Sequence, residues 1–420
     1  MTTADTRPAG QLSPAPLLPT GFTAATASAA IKKPGRPDMA LLRCPGGATL
    51  AAVYTTNQVC AAPVQRSRQH LAMSHGHCSA LLLNSGCANA ATGARGLANA
   101  SELMEAVARA CDISPEAVQH NSTGVIGVQL PMERMLPCVP VMAAAAAHGS
   151  VEPLARAIMT TDTAPKWAAR SVAQAGAHGQ AHAQTHSQAH VGRTCSVVGV
   201  AKGAGMIHPN MATMIAVLMT DAAVEPPALD ALLRHAVERS FHRISIDGDT
   251  STNDSVFALA SGEAGSGFAH ADLQQAFDQV ARDLAMMVVR DGEGYERGIH
   301  VRVTGAPTSA EALLVAKTIA SSLLVRCAVT GGDPNWGRIL AAAGRSGVRL
   351  SLDECDLRVG GVPLFAHGAP ADTPLAQREA AFRAPLVEVD LCMGPGPGQD
   401  EFTSCGLTKA YVELNAEYTT

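Results

Sequence analysis

The chain has 420 residues, 47% of them hydrophobic and 16% charged, and a formal net charge of −5. That length allows two or three domains of about 100–200 residues each. The composition excludes wholesale disorder, and the mildly acidic balance excludes a general attraction to nucleic acid or to an anionic membrane surface.

Residues 1–20 are Pro-rich and read as a loose extension. They lack the basic start and apolar run of a signal peptide. From Gly21 the pattern tightens. "MALLRC" and "ATLAAVYTT", separated by "PGG", read as a hairpin. "SALLLNSGCANA" is an apolar run entering a turn of small residues, and "GARGLANASELMEAVARACDI" has apolar residues at helical spacing. "AVQHNSTGVIG" returns to strand, and "PMERMLPCVPVMAAAA" and "VEPLARAIMTTDTAPK" are mostly helical.

Residues 174–192 form a low-complexity insertion with His178, His182, His186 and His190 at four-residue intervals. On a helix these would stack on one face and hold a metal. No Cys or carboxylate partner accompanies them and glycines weaken a helix there, so a solvated insertion is expected and no metal site. "TCSVVGVAKGAGM" is a strand entering a Gly turn, and "MIAVLMTDAAV" is the next strand. After a helix in "PPALDALLRHAVERSFHRI", "SIDGDTSTNDSVFALASG" is a small-polar turn followed by a strand. "ADLQQAFDQVARDLAMMVVRDGEG" is a long amphipathic helix with apolar residues at Leu273, Phe277, Val280, Leu284 and Val288. "IHVRVTGA" is a strand, "SAEALLVAKTIASSLLVRCAV" a single helix, "VRLSLDECDLRVGGVPLF" a strand pair and "AYVEL" a final strand. The alternation indicates layered α/β architecture. Eleven cysteines lie scattered without zinc spacing, as expected of small core residues in a reducing compartment. No run of about 18 apolar residues reads as a membrane span, so a cytoplasmic protein is expected.

Three stretches could carry chemistry. In "KGAGMIHPNMATM", Thr213 follows the small Ala212 after a glycine turn. A threonine hydroxyl needs an adjacent base, and cutting the bond before it would supply one as its own α-amine. The same pattern suits a loop entering a buried strand. In "NSTGVIG", Thr123 and Gly124 could aim two donors at one oxyanion, or form an ordinary turn. "DGEG" places Glu293 between two glycines at the C-terminal end of a long helix, where a carboxylate opposes the dipole; it suits a bound cation or a solvated turn. Lys202 lies at the mouth of the Gly turn, able to pair with a carboxylate or with solvent.

Together these motifs, with "AAIKKPGRPDMALL", "IMTTDT", "IDGDTSTND", "GDPNWGRILAAAG" and "AYVELNAEYTT", resemble the ornithine acetyltransferase (glutamate N-acetyltransferase) family from Gly21 to Thr420. The resemblance implies a precursor that cuts itself between Ala212 and Thr213, with Thr213 as nucleophile and Thr123 and Gly124 as the oxyanion hole. It implies Thr160, Lys202, Thr213, Glu293, Asn415 and Thr420 as substrate-binding positions. The implied fold is an αββα-like sandwich similar to N-terminal nucleophile hydrolases, with its own topology. Residues 21–212 would form an α chain, 213–300 the rest of the catalytic core, and 301–420 a smaller α/β domain whose tail returns to the site. The implied activity moves acetyl from N2-acetyl-L-ornithine to L-glutamate in arginine biosynthesis. No cofactor is implied, though some members take acetyl-CoA as a second donor. The implied assembly is a heterotetramer of two α and two β chains. The alternative is a self-processing aminopeptidase or amidase of the same fold group. Tyr295, Glu296, Arg297 and Gly406 depart from the family pattern.

Overall fold

The computed structural model describes residues 14–174, 193–208 and 214–417. The segment 175–192, with its four histidines, lies outside them, as do Ala212, Thr213 and Thr420.

The first half of the chain, with the start of the second, builds one eight-stranded sheet. Its strands are β1 (Thr23–Ala27), β2 (Met39–Tyr54), β3 (His77–Cys87), β4 (Val118–Val125), β5 (Lys166–Ala173), β6 (Thr194–Lys202), β7 (Ile215–Ala222) and β8 (Ser255–Gly265). They run in the order β4-β3-β2-β8-β7-β6-β5, with β1 also on β2. The expected hairpin in 39–56 is instead the single long strand β2. Its first half pairs with β1 and β3 and its second half with β8, and the register shifts between Arg43 and Ala48. The glycines at 46 and 47 act as a bulge rather than a reversal, because pairing with β3 resumes at Ala48.

That bend turns one sheet into two facing layers. Alternate side chains separate cleanly. Leu42, Leu81, Leu83, Val200, Val217 and Phe257 meet in a shared inner core. Their neighbours Leu41 and Leu82 face outward against Leu103 and Val107 of the helix Gly93–Cys111. Val197, Leu218 and Ala258 face outward against Leu233 of the helix Pro226–Glu238 and Val280 and Leu284 of the helix His270–Arg290. The result is the helix–sheet–sheet–helix sandwich expected from the sequence. β7 is buried along its whole length, which accounts for the unbroken apolar run in its residues 215–219.

A second sheet comprises β9 (Gly298–Ala306), β10 (Asp356–Val359), β11 (Val362–Ala366), β12 (Ala369–Pro370), β13 (Leu386–Cys392) and β14 (Gly398–Cys405), ordered β12-β11-β10-β13-β9-β14. The helix Ser309–Ala320 packs over it through Ala312, Val315, Ala316 and Ile319. Thr308 caps this helix by accepting the Glu311 N–H. The expected single helix here is two, with a 57° bend between Ser309–Ala320 and Leu323–Gly331. No single helix among the described residues is long and apolar enough to cross a membrane.

The expected final strand is also corrected. Residues Lys409–Glu417 form a helix. Thr408 Oγ1 accepts the Tyr411 N–H at 3.1 Å and starts the turn, so the local hydrogen bond prevails over the β-leaning Tyr-Val pair.

Candidate active site

Strand ends converge on one open-mouthed pocket of about 730 Å³, counting the space open to solvent. Thr123 and Gly124 line it from the end of β4, and Lys202 from the end of β6. Thr160 comes from the segment before β5, Glu293 from the turn after the helix His270–Arg290, and Asn415 from the C-terminal helix. The expected positions that lie among the described residues thus share a single cavity.

The β4 end is built for close approach. Gly124 has φ +131, and a Cβ there would stand 2.3 Å from the Gly86 carbonyl carbon of β3. Only glycine fits. The loop before β8 holds this strand end from the other side. Asn253 Nδ2 donates to the Ala88 carbonyl (2.7 Å) and the Ser122 carbonyl (2.8 Å), and Asn121 Nδ2 donates to the Asn253 carbonyl (2.7 Å). Both side-chain amides are thus paired at each end.

Lys202 is only 2% exposed. Its ammonium donates to Thr123 Oγ1 at 3.4 Å. Burial lowers its affinity for the proton, and the carboxylates of Asp162, Asp254 and Glu293 oppose that. Asp254 is fully buried, and Oδ1 accepts the N–H of Met214, the residue that follows Thr213 in the chain, at 2.6 Å. Burial pushes its carboxyl well up, against the pull of that N–H and of Lys202. Oδ2 has no hydrogen-bond partner among the described residues.

Glu293 sits between two parts of the fold. Its N–H donates to the Ala204 carbonyl at 2.8 Å, and its carboxylate lies so close to Gly205 that a Cβ at 205 would stand 2.6 Å from Oε2. Asn415 Nδ2 donates to the same Oε2 at 2.8 Å. The tail therefore docks on the carboxylate. Tyr411 joins it in the pocket. Burial raises its phenol first, and the nearby Asp247, Glu293 and Asp249 raise it further. Asp247 is itself pushed up by burial while its oxygens accept the Met206 and Ile207 N–H groups, which fastens the glycine turn.

The ArgJ family model matches residues 23–420 of this sequence. The chain belongs to the ArgJ family. It is 44% identical over 407 residues to the arginine biosynthesis bifunctional protein ArgJ of Nitratidesulfovibrio vulgaris, covering 95% of this chain and 98% of that one. It is 42% identical over 422 residues to the ArgJ protein of Thermosynechococcus vestitus, covering 95% and 96%. Among solved structures, it is similar to the ArgJ protein of Bacillus halodurans, with 36% identity, 47% and 96% coverage and a TM-score of 0.46. It is also similar to ornithine acetyltransferase complexed with ornithine from Mycobacterium tuberculosis, with 35% identity, 46% and 92% coverage and a TM-score of 0.37.

Tyr295, Glu296, Arg297 and Gly406 do not line the pocket. The Tyr295 hydroxyl donates to the Pro385 carbonyl, the Arg297 guanidinium to the Thr330 carbonyl, and the Gly406 N–H to the Arg297 carbonyl. A Cβ at Gly406 would stand 2.3 Å from Thr330 Oγ1, so the side chain absent there makes room for that threonine. Sequence reasoning missed Asp162, Asp247, Asn253, Asp254 and Tyr411. The density of small polar residues in "IDGDTSTND" was the one visible signal for three of them.

Proposed function

We propose that this chain transfers acetyl from N2-acetyl-L-ornithine to L-glutamate, in two steps through an acetyl-Thr213, after cleavage between Ala212 and Thr213. One observation supports this above the others. An oxyanion pair, a buried ammonium and a carboxylate docked by the tail line a single pocket, and the pocket wall includes the loop that grips Met214. The ornithine complex of the Mycobacterium tuberculosis relative points to the same substrate class.

The chemistry follows from the groups present. In processing, the Thr213 hydroxyl attacks the Ala212 carbonyl, the amide becomes an ester, and water completes the cut. The freed α-amine then serves as base for the same hydroxyl. In turnover, Thr213 Oγ attacks the acetyl carbonyl and its proton passes through the amine to the departing ornithine nitrogen. Thr123 Oγ1 and the Gly124 N–H receive the oxyanion, a contribution of about 3–4 kcal/mol per donor. The amine of glutamate attacks the acetyl ester and releases N-acetylglutamate. Lys202 pairs the α-carboxylate that both amino acids carry, Glu293 pairs the ornithine ammonium, and Thr160, Asn415 and Thr420 close around the substrate.

The α chain would span 21–212 and the β chain 213–420, with 301–420 as the smaller domain, assembled as two α and two β chains in the cytoplasm. The relatives are named bifunctional, which favours acetyl-CoA as a second acetyl donor. No metal or cofactor is assigned a role.

The deciding assay supplies acetylornithine with and without glutamate. Transfer requires that N-acetylglutamate form in step with ornithine, and that without glutamate ornithine release stop after about one equivalent per site. Acetate release that ignores glutamate would assign the chain to the hydrolytic alternative, a self-processing aminopeptidase or amidase.

Asn415→Ala supplies a second check. Loss of one hydrogen bond to the Glu293 carboxylate is expected to raise the acetylornithine KM by about tenfold with little change in kcat. Steady-state kinetics with acetylornithine varied at saturating glutamate measure it.

A further inference from the structure

Lys202 lines the pocket, whereas Asp162, which holds the backbone next to it, does not. Asp162 lies two residues after Thr160, with its side chain 1% exposed. Its Oδ2 accepts the Thr160 N–H at 3.0 Å. Its Oδ1 accepts the N–H of Gly203, the residue after Lys202, at 2.7 Å, and the Lys166 ammonium at 2.7 Å. Lys166 is shared with Asp291, which also accepts the Thr163 N–H and stands two residues before Glu293. Lys166 thus joins two carboxylates that lie outside the pocket lining, and Asp162 ties them to the backbone beside Lys202.

Buried ion pairs contribute little net stability compared with apolar packing, so such a network calls for another use. We propose that Asp162 is a positioning residue that keeps Lys202 cationic and aimed into the pocket, so that an incoming α-carboxylate meets a preformed charge. This rests on the role assigned to Lys202 above.

The titratable groups that act on Lys202 come from several elements. Asp162 and Lys166 lie on the segment entering β5 and on β5, Asp254 on the loop before β8, and Glu293 on the turn after the long helix. Burial and Lys166 lower the Lys202 pKa; Asp162, Asp254 and Glu293 raise it. Asp162 stays ionised. Burial alone would raise its carboxyl, but Lys166, Lys202 and the Gly203 N–H outweigh burial and hold it well below the usual range.

The sign follows directly. Lys202 is charged below its pKa, so carboxylate affinity is lost as pH rises through that value. Asp162→Asn removes an anion and moves the loss to lower pH. Lys166→Met removes a competing cation and moves it to higher pH. A merely structural network would not give opposite shifts.

The experiment is calorimetric titration of the processed protein with L-ornithine across the alkaline range, with putrescine as the probe lacking an α-carboxylate. The expected result is an ornithine advantage whose alkaline loss moves down by about one pH unit in Asp162→Asn and up in Lys166→Met. An advantage that ignores both substitutions, or that shifts the same way in both, overturns the proposal and leaves the role of Lys202 intact. No advantage over putrescine at any pH in the unaltered protein overturns both. Should Asp162→Asn fail to fold, Lys166→Met decides: an upward shift supports the proposal, and no shift or a downward one overturns it.

Discussion

Replacing Thr213 with Ala is expected to leave one uncut chain of 43.2 kDa and to lower acetyl transfer by roughly 10⁶-fold, the scale seen when an acyl-transfer nucleophile is deleted. Denaturing mass spectrometry should find two fragments in the unaltered protein, the second beginning at Thr213, and one species in the variant. The substitution removes two functions with one oxygen. Without the hydroxyl, no ester forms at Ala212 and no α-amine is released. Without the amine, the acylation step lacks its proposed base. Thr213→Ser retains both groups and should still cut itself, which separates loss of chemistry from loss of fold. A competent uncut enzyme, or an acetyl adduct mapped to another side chain, would remove the basis of the proposed mechanism.

Thr123→Val carries the second-largest expected effect. Valine keeps the volume at a buried site and deletes the donor. kcat is expected to fall about 10²–10³-fold, or roughly 2.7–4 kcal/mol, in both half-reactions, with the acetylornithine KM nearly unchanged. That split is diagnostic, because an oxyanion exists only on the way to product while substrate binding uses other groups. Lys202 donates to Thr123 Oγ1, so valine also frees that ammonium. Thr123→Ser retains the hydroxyl and should recover most of the rate. A rise in KM with kcat preserved would instead place Thr123 among the substrate-holding groups. Stopped-flow acetylation and steady-state kinetics distinguish the two.

The parts of the site that were legible share one property: their chemistry depends on residue type within a few neighbours. A Thr-Gly pair at a strand end and a carboxylate between two glycines, both found lining the pocket, each have a local signature. Asp162 has none. Its value comes from Gly203 and Lys166 standing around it, and the first of these is 41 residues away. Asn253 likewise reads as one more polar residue until its amide is seen to bridge Ala88 and Ser122, 165 and 131 positions distant. The errors have the same origin. β2 was divided because Pro-Gly-Gly reads as a reversal, and pairing with β3 on the far side of the glycines decided otherwise. The tail was read as a strand from its Tyr-Val pair, and a capping hydroxyl on Thr408 made it a helix.

By itself, the order of residues determined the layered α/β class, the alternation that sorts Leu41 from Leu42 and Leu82 from Leu83 between two cores, and the residue types available for acyl transfer. These follow from periodicity and side-chain chemistry, which act over a few positions. Only the tertiary structure decided that Lys202 meets Thr123 across 79 residues and that Asn415 meets Glu293 across 122. Such pairs depend on a sheet bent at one bulge and a tail folded back as a helix, and burial together with charge then makes each partner's state depend on groups that no local stretch contains.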